Sequence, residues 1–397
     1  MAWKEVNVLD QRKLFIIEFL KKNYSITELC RQFELSRPTA YKWIARYNEE
    51  GFDGLIDRNS APHNQIGETN QQQIEEILKV KYKFMRLGPK KILARLERDQ
   101  PHIEWPSATT IGNILQKNGL VVPRKYRKRF PVKTDPLSHA NLSNDVWSMD
   151  FKGWFLTKDS QKCGPLTIFD NFSRFLLGCV KLHADDTDHV WAILEMMFRE
   201  YGLPIFLRSD NGPPFATSGA GRLSKLSVKL IKAEVIPEWI EPGNPQENGR
   251  HERMHGTLEQ EGVNRELSMK DQQTKFLDFQ QYYNWDRPHE ALLQKVPGSI
   301  YTPSPRIWSG KLKSPEYPDE FEKLKVHSCG NICRNWNRIY IGRVLTNEYV
   351  GLKKNPDGDF TIYFGPIILG TLTRDDEFVI TRREGRRKPY KNTMLIT

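Results

Sequence analysis

The order of strands and helices between residues 146 and 260 constrains the fold more than any other feature of this sequence. Alternating or continuous apolar runs predict strands at 146–156, 164–170, 175–182, 204–207 and 235–240. Amphipathic spacing predicts helices at 187–201, at 223–233 and from about 246 to 260. Three antiparallel strands followed by helix, strand, helix, strand and helix indicate an α/β sandwich of the ribonuclease H type.

Three carboxylates occupy defined places in this order. Asp150 lies in the first strand, Asp210 directly follows the fourth strand, and Glu252 lies on the third helix. Each acid alone is uninformative, because acids at strand ends usually hold turns and helical glutamates are usually solvated. Phosphodiester transfer, however, needs charge neutralisation on the attacking and leaving oxygens, which two Mg²⁺ ions held by a few converging carboxylates supply. We therefore predict two Mg²⁺ ions at these three acids.

The first 60 residues predict a helix-turn-helix DNA-binding domain. Ser25 and Glu28 form a capping-box pattern before a short helix, and Ser36 caps a second, longer helix after a tight turn. The second helix of such a unit enters the major groove of DNA. Its outward face would present the DNA-contact candidates Arg37, Thr39, Lys42 and Arg46. A plain helical hairpin without DNA-binding activity is the alternative.

Residues 61–122 predict a second helical domain that resembles a helix-turn-helix, with Thr109 on its outward face; a purely structural three-helix unit is the alternative. Residues 123–143 form a basic linker. Its cations alternate with aromatic residues, which favours a segment that lies along phosphates over a solvated linker. The DNA-contact candidates in this linker are Arg124, Lys125, Arg127, Lys128 and Arg129.

The remaining boundaries follow from changes in composition. Residues 144–296 form the predicted catalytic core, and the Pro- and Ser-rich stretch at 297–321 is a second linker. Short strands and a turn signal at 355–358 predict that residues 322–397 form a small β-barrel with a basic tail. The chain is therefore expected to be multidomain, with all-α units before the α/β core and β structure after it.

The charge balance indicates a polyanionic partner. The chain carries 60 Lys and Arg against 49 Asp and Glu, a formal net charge of +11, and double-stranded DNA is the leading candidate. No apolar run reaches the ~18 residues that a membrane span needs. The five scattered cysteines fit a reducing compartment. We expect a cytoplasmic protein without a membrane partner.

Three motifs carry a resemblance to a known family. They are Trp147-Ser148-Met149-Asp150, the run from Ser209 through Asp210-Asn211-Gly212 to Phe215, and the stretch 244–255 with Asn248-Gly249 and Glu252-Arg253. Together they resemble the retroviral-type integrase core of bacterial DDE transposases, and among these the insertion-sequence transposases. Arg287-Pro288-His289 just beyond the core and the helical units before it extend the resemblance over nearly the whole chain.

This resemblance implies a DDE transposase that cleaves the ends of a mobile element and transfers the strands to target DNA, with Mg²⁺ or Mn²⁺. Asp150 would bridge both metal ions, and Asp210 and Glu252 would each complete one site. Asn248 and Arg253 are further DNA-contact candidates. Because two element ends must be brought together, a homo-oligomer of at least two subunits on DNA is expected by analogy with the family.

Two departures from the family pattern bear on the third acid. The stretch between Asp210 and Glu252 is longer than usual, and the extra length is expected at 217–221. Glu247 is a rival to Glu252, but the catalytic glutamate of the family precedes Arg or Ser, which favours Glu252. The alternative functions are a non-catalytic, transposase-derived DNA-binding regulator and a stand-alone ribonuclease-H-like nuclease.

Overall fold

The computed structural model describes residues 7–57, 69–121, 139–182, 186–241 and 248–380. The chain divides into two compact units, Met1–Thr69 and Asn70–Thr397. Several predicted features lie outside the described residues: the basic tail, the rival acid Glu247, and the linker cations Arg124, Lys125, Arg127, Lys128 and Arg129. No helix among the described residues is both long and apolar enough to cross a membrane.

Among its described residues, the first unit contains three α-helices, α1 Val8–Leu20, α2 Ile26–Gln32 and α3 Arg37–Glu50, followed by a 3-10 helix, Gly51–Leu55. The predicted capping box is present, because Ser25 accepts a hydrogen bond from the Glu28 amide while the Glu28 carboxylate accepts one from the Ser25 amide at 2.8 Å. Phe15, Leu29 and Trp43 form its core with smaller apolar residues from all three helices. The helix, turn and helix that the sequence predicts are therefore observed.

Replacing Ser25 with alanine should lower the free energy of unfolding of this unit by about 1 kcal/mol, because the Glu28 amide loses its acceptor at the start of α2. Thermal or urea denaturation of the protein measures this loss. Asparagine caps helices as well as serine does, so Ser25→Asn should retain the stability, and equal losses in the two variants would contradict the capping role.

Three more helices begin the second unit: α4 Gln71–Lys83, α5 Pro89–Asp99 and α6 Ala108–Lys117. They share an apolar core and also contact residues 282–286 near the end of the predicted catalytic core. Arg95 pairs with Asp286 at 2.9 Å, Arg98 donates to the Trp285 carbonyl at 3.1 Å, and Phe84 stacks on Tyr282. This helical layer is thus packed directly against the core.

The catalytic core contains six strands: β1 Val146–Phe151, β2 Phe155–Leu156, β3 Lys162–Asp170, β4 Leu176–Leu182, β5 Phe206–Ser209 and β6 Ile236–Trp239. β3 pairs antiparallel with β1, β2 and β4, whereas β1, β5 and β6 run parallel. The predicted single strand at 146–156 is divided. Lys152 donates to the Pro165 carbonyl at 3.0 Å, but Pro165 has no amide hydrogen to return, so the ladder is interrupted there.

Helices cover both faces of this sheet: α7 Thr187–Tyr201, α8 Lys225–Lys232, α9 Gly249–Glu261 and α10 Met269–Gln281. α7 and α8 pack on one face with Trp147, Leu166 and Ile168. α9 and α10 pack on the other face with Cys163 and Phe169. Because successive strand residues point to opposite faces, β3 contributes to both cores, and the predicted α/β sandwich is confirmed.

The C-terminal strands are β7 Phe321–Lys325, β8 Asn331–Arg334, β9 Asn337–Tyr340, β10 Tyr349–Lys354, β11 Phe360–Phe364, β12 Ile367–Leu372 and β13 Phe378–Ile380. They form a five-stranded sheet in the order β13-β12-β11-β10-β7 and a separate hairpin, β8–β9. Within the described residues these sheets are not closed, so the predicted barrel is not confirmed. The open sheet and the hairpin instead share one apolar core with residues of α8.

The extra length between the second and third acids has a packing role. The short 3-10 helix Ala220–Arg222 lies against β12, and Gly221 at φ +60° leaves no room for a side chain, since a Cβ there would lie 2.9 Å from Leu369 Cδ2. The predicted linker at 297–321 is also partly packed, because Trp308 is buried beside Trp191 and Phe198 of α7.

Candidate functional site

The register of the two central parallel strands places two of the acids side by side. Ser148 on β1 is opposite Arg208 on β5. An aspartate follows each of them two residues later: Asp150 within β1, and Asp210 directly after the end of β5. Both aspartates are half-buried at the same end of the sheet. The turn after β5 is held by the Gly212 amide, which donates to Asp210 Oδ1 at 3.1 Å, and by Asn211, which donates to the Ile240 carbonyl at 2.9 Å.

The third acid, Glu252, lies in the first turn of α9 and is exposed. The start of this helix is tied to β1, because Asn248 Nδ2 donates to Asp150 Oδ2 at 2.9 Å. Burial raises the pKa of Asp150 to about 7, with a further contribution from the negative charge of Asp210 and a smaller one from Glu252. The three predicted acids are therefore close enough to interact electrostatically.

The donor set suits a hard divalent cation. Asp150 and Asp210 are half-buried at the same end of the sheet, and Glu252 is exposed in the first turn of α9. The burial and repulsion that raise the pKa of Asp150 are relieved either by a proton on Asp150 or by a bound cation. Mg²⁺ and Mn²⁺ prefer such oxygen ligands. Asp150, Asp210 and Glu252 are the residues that could hold them.

A second group at this site was missed by the sequence analysis. Thr167 lies opposite Asp150 in the β1–β3 register, and its hydroxyl donates to the Asp150 carbonyl at 3.0 Å. The same hydroxyl lies 2.6 Å from His251 Nε2 and 2.7 Å from His255 Nε2. The i, i+4 spacing of the two histidines on α9 was the available signal, but nothing in the sequence pointed to a threonine more than 80 residues earlier.

Burial disfavours the charged form of both imidazoles. Burial lowers the pKa of His251 well below its ordinary value, and burial with the nearby Lys152 lowers the pKa of His255 to about 4. Ligand atoms of Asp150, His251 and His255 lie within 4.8 Å of one another, so these side chains are also a possible metal-binding group.

Asp170 is a fourth acid of this sheet, but it lies opposite Trp147 near the start of β1, away from Asp150, and its oxygens are occupied. One oxygen accepts from the Asn144 amide at 2.8 Å, and the other accepts from the amide and hydroxyl of Ser173 at 2.7 and 2.6 Å. Burial raises its pKa in spite of these bonds. Asp170 therefore holds the β3–β4 turn.

The DNA-contact candidates differ in the contacts that their side chains make with other residues of the protein. Arg37 is exposed and donates to Thr27 at 3.0 Å, while Thr39 bonds the cap residue Ser36. Lys42 and Arg46 lie over the Trp43 ring at 5.3 and 5.0 Å. These four residues lie along α3.

The other described candidates lie on two helices of the second unit. Thr109 is exposed on α6. Arg253 is exposed beside Glu252 on α9, whereas Asn248 is half-buried and contacts Asp150 directly. Asn248 therefore belongs to the same site as the three acids. Arg253 is a solvent-facing cation next to Glu252 on α9.

Sequence families match in several parts of the chain. A helix-turn-helix domain family matches residues 12–63, and a homeodomain-like domain family matches residues 39–115. Two integrase core domain families match residues 140–245 and 233–297. The matched ranges agree with the helical units and with the six-stranded core.

Two curated proteins are similar in sequence. The insertion element IS407 uncharacterized 31.7 kDa protein of Burkholderia multivorans is 25% identical over 238 residues, which cover 58% of this chain and 81% of that protein. The insertion element IS476 uncharacterized 39.2 kDa protein of Xanthomonas euvesicatoria is 28% identical over 194 residues, which cover 47% of this chain and only 54% of that protein.

Solved structures of retroviral integrases are more distant. A simian T-cell lymphotropic virus intasome in complex with PP2A regulatory subunit B56 gamma gives a TM-score of 0.36 at 14% identity, covering 74% of this chain and 97% of that chain. The HTLV-2 integrase catalytic core domain in complex with magnesium gives 0.32 at 16% identity, covering 41% of this chain and 98% of that chain. Because these scores are low, the fold assignment rests on strand order and the family matches.

Proposed function

We propose that this chain, a bacterial insertion-sequence protein with helix-turn-helix domains and an integrase-type core, is a DDE transposase that cleaves the ends of its element and joins them to target DNA. The observation that carries the proposal is the parallel register of β1 and β5, which places Asp150 and Asp210 at the same end of the sheet. Asn248 ties the start of α9, which carries Glu252, to Asp150, and burial together with the charges of the other two acids raises the pKa of Asp150. Such an arrangement is costly for a folded protein and is typical of a cation-dependent active site.

Asp150 would bridge two divalent ions, and Asp210 and Glu252 would each complete one site. When bound, Mg²⁺ or Mn²⁺ neutralises charge on the attacking and leaving oxygens of the phosphodiester. Asn248 orients the Asp150 carboxylate, and the Gly212 amide holds that of Asp210. Water attacks the phosphodiester at the element end, and the 3′-oxygen leaves as a hydroxyl. This 3′-hydroxyl then attacks a phosphodiester of the target strand, whose own 3′-oxygen is the leaving group.

The flanking parts would bring double-stranded DNA to this centre. α3 would enter the major groove of the element end with Arg37, Thr39, Lys42 and Arg46, and Thr109 on α6 would contact the same DNA. Arg124, Lys125, Arg127, Lys128 and Arg129 would lie along phosphates, and Arg253 would face the DNA beside Glu252. Because two ends are joined, the active form would be a homo-oligomer, at least a dimer, acting on the nucleoid in the cytoplasm.

The test uses the purified full chain and labelled DNA from both flanks of its gene. With Mg²⁺ or Mn²⁺ we expect nicking at the element ends and products joined to a target plasmid. EDTA, or DNA with scrambled ends, should remove both. Hydrolysis without joining would support a ribonuclease-H-like nuclease instead, and sequence-specific binding without any metal-dependent cleavage would support a DNA-binding regulator.

A further inference from the structure

We propose that Thr167, His251 and His255 are positioning residues, which fix α9 through one shared hydroxyl so that Glu252 is held beside Asp150. The inference rests on the proposed function, because it takes Glu252 to be a metal ligand. None of the three side chains needs to touch the metal ions or DNA. Their effect is on the position of the Glu252 carboxylate.

The hydrogen-bond capacity of one hydroxyl defines the arrangement. A threonine hydroxyl has one hydrogen and two lone pairs, and Thr167 has three partners at 2.6 to 3.0 Å. Its hydrogen goes to the Asp150 carbonyl, so both histidines must donate to it. Each imidazole therefore carries its hydrogen on Nε2 and leaves Nδ1 as an acceptor.

The two donors bracket the third acid. His251 precedes Glu252 directly, and His255 lies one helical turn after His251. Both histidines therefore contact Thr167 on β3, while Glu252 remains exposed. Met254 and Leu258 also attach α9 to the sheet. Apolar contacts, however, are not directional, whereas two short hydrogen bonds to one atom fix the rotation of the helix about its axis.

The arrangement has a cost that packing alone does not explain. His251 is fully buried, and its Nδ1 finds no hydrogen-bond partner among the described residues. An apolar side chain would avoid this unpaired acceptor. A buried polar group without a partner, on the residue next to Glu252, is the kind of local conflict that proteins keep at functional sites.

The inference is tested on the DNA-free protein by titrating Mn²⁺ and measuring affinity by calorimetry and the Mn²⁺-induced rise in Tm. Thr167→Val keeps the shape but removes the hydroxyl, and should weaken Mn²⁺ binding about tenfold or more, as loss of a partner that orients a metal ligand does. Thr167→Ser keeps the hydroxyl and should bind Mn²⁺ nearly as the wild type does.

Thr157→Val is the matched control. Thr157 is also buried, and its hydroxyl bonds Asp159 and the Gln161 carbonyl in the β2–β3 turn. This variant should lose stability and keep its Mn²⁺ affinity. Equal weakening of Mn²⁺ binding in Thr157→Val and Thr167→Val would reduce the effect to general destabilisation and overturn the proposal.

Two further outcomes separate the possibilities. If His251→Leu and His255→Leu abolish Mn²⁺ binding while Thr167→Val retains it, the imidazoles are themselves ligands and the positioning role is wrong. Wild-type affinity in Thr167→Val contradicts only the positioning role, whereas absence of Mn²⁺ binding by the wild type contradicts the proposed metal site itself. The titration needs no DNA, so it remains decisive if strand transfer is not found.

Discussion

Replacing Asp150 with asparagine should abolish both end cleavage and strand joining, with losses of about a thousandfold or more. Asparagine matches aspartate in shape but lacks the charge that would hold two cations, and the several kcal/mol of charge stabilisation that the cations supply corresponds to losses of this size. Asp210→Asn and Glu252→Gln should show comparable losses. The measurement is the yield of nicked and joined products with Mg²⁺ over time.

Glu247→Gln is the matched control for Glu252→Gln, because the two glutamates are close in sequence and the same substitution is made. We expect Glu247→Gln to keep cleavage and joining within a few-fold of the wild type. Binding of element-end DNA in EDTA should be unchanged in all four variants, which separates loss of chemistry from loss of binding. Full activity in any variant of the three acids would remove that residue from the site.

The sequence predicts the core well because its signals are local. Apolar periodicity located α7 at its observed bounds and placed Asp210 after a buried strand. The convergence of Asp150 with Asp210 follows from a parallel register, which the family motifs imply but which no single segment encodes. The interrupted strand at Lys152 depends on Pro165 in the neighbouring strand, so it could not be found from the first strand alone.

What the sequence did not predict are contacts between distant segments. Arg95 and Asp286 pair across 191 positions, and Thr167 meets His255 across 88 positions. Neither partner is unusual within its own segment. Whether the C-terminal strands close into a barrel likewise depends on whether the edge strands β7 and β13 pair with each other. Alternating hydrophobicity carries no information on this pairing.

In metal-free protein, Asp150→Asn should raise the free energy of unfolding at pH 8 by about 2–3 kcal/mol. Burial and the charges of Asp210 and Glu252 raise the folded-state pKa of Asp150 to about 7. The folded protein therefore holds the proton more tightly than the unfolded chain does. Stability is lost as the pH rises from about 4 to about 7, and the full loss is present above that range. Asparagine does not ionise, so the variant avoids the loss.

Urea denaturation in EDTA at several pH values measures this effect. The advantage of Asp150→Asn should shrink towards pH 5 and disappear near pH 3, where the wild-type carboxyl is largely protonated in both states. Asp278→Asn, which alters an exposed carboxylate on α10, should show no such pH-dependent gain. A variant less stable than the wild type at pH 8 would contradict the predicted repulsion.

Adding Mn²⁺ should reverse the order of stability. A cation that binds the folded wild type stabilises it in proportion to its affinity, and the asparagine variant has lost the bridging ligand. A carboxylate with a purely structural role, such as Asp159, whose pKa is lowered by the hydrogen bonds from Thr157 and the Met269 amide, stabilises the fold with or without metal. Only an acid kept for a cation would destabilise the metal-free protein and stabilise the metal-bound one, so the crossing of the two stabilities distinguishes these roles without any DNA substrate.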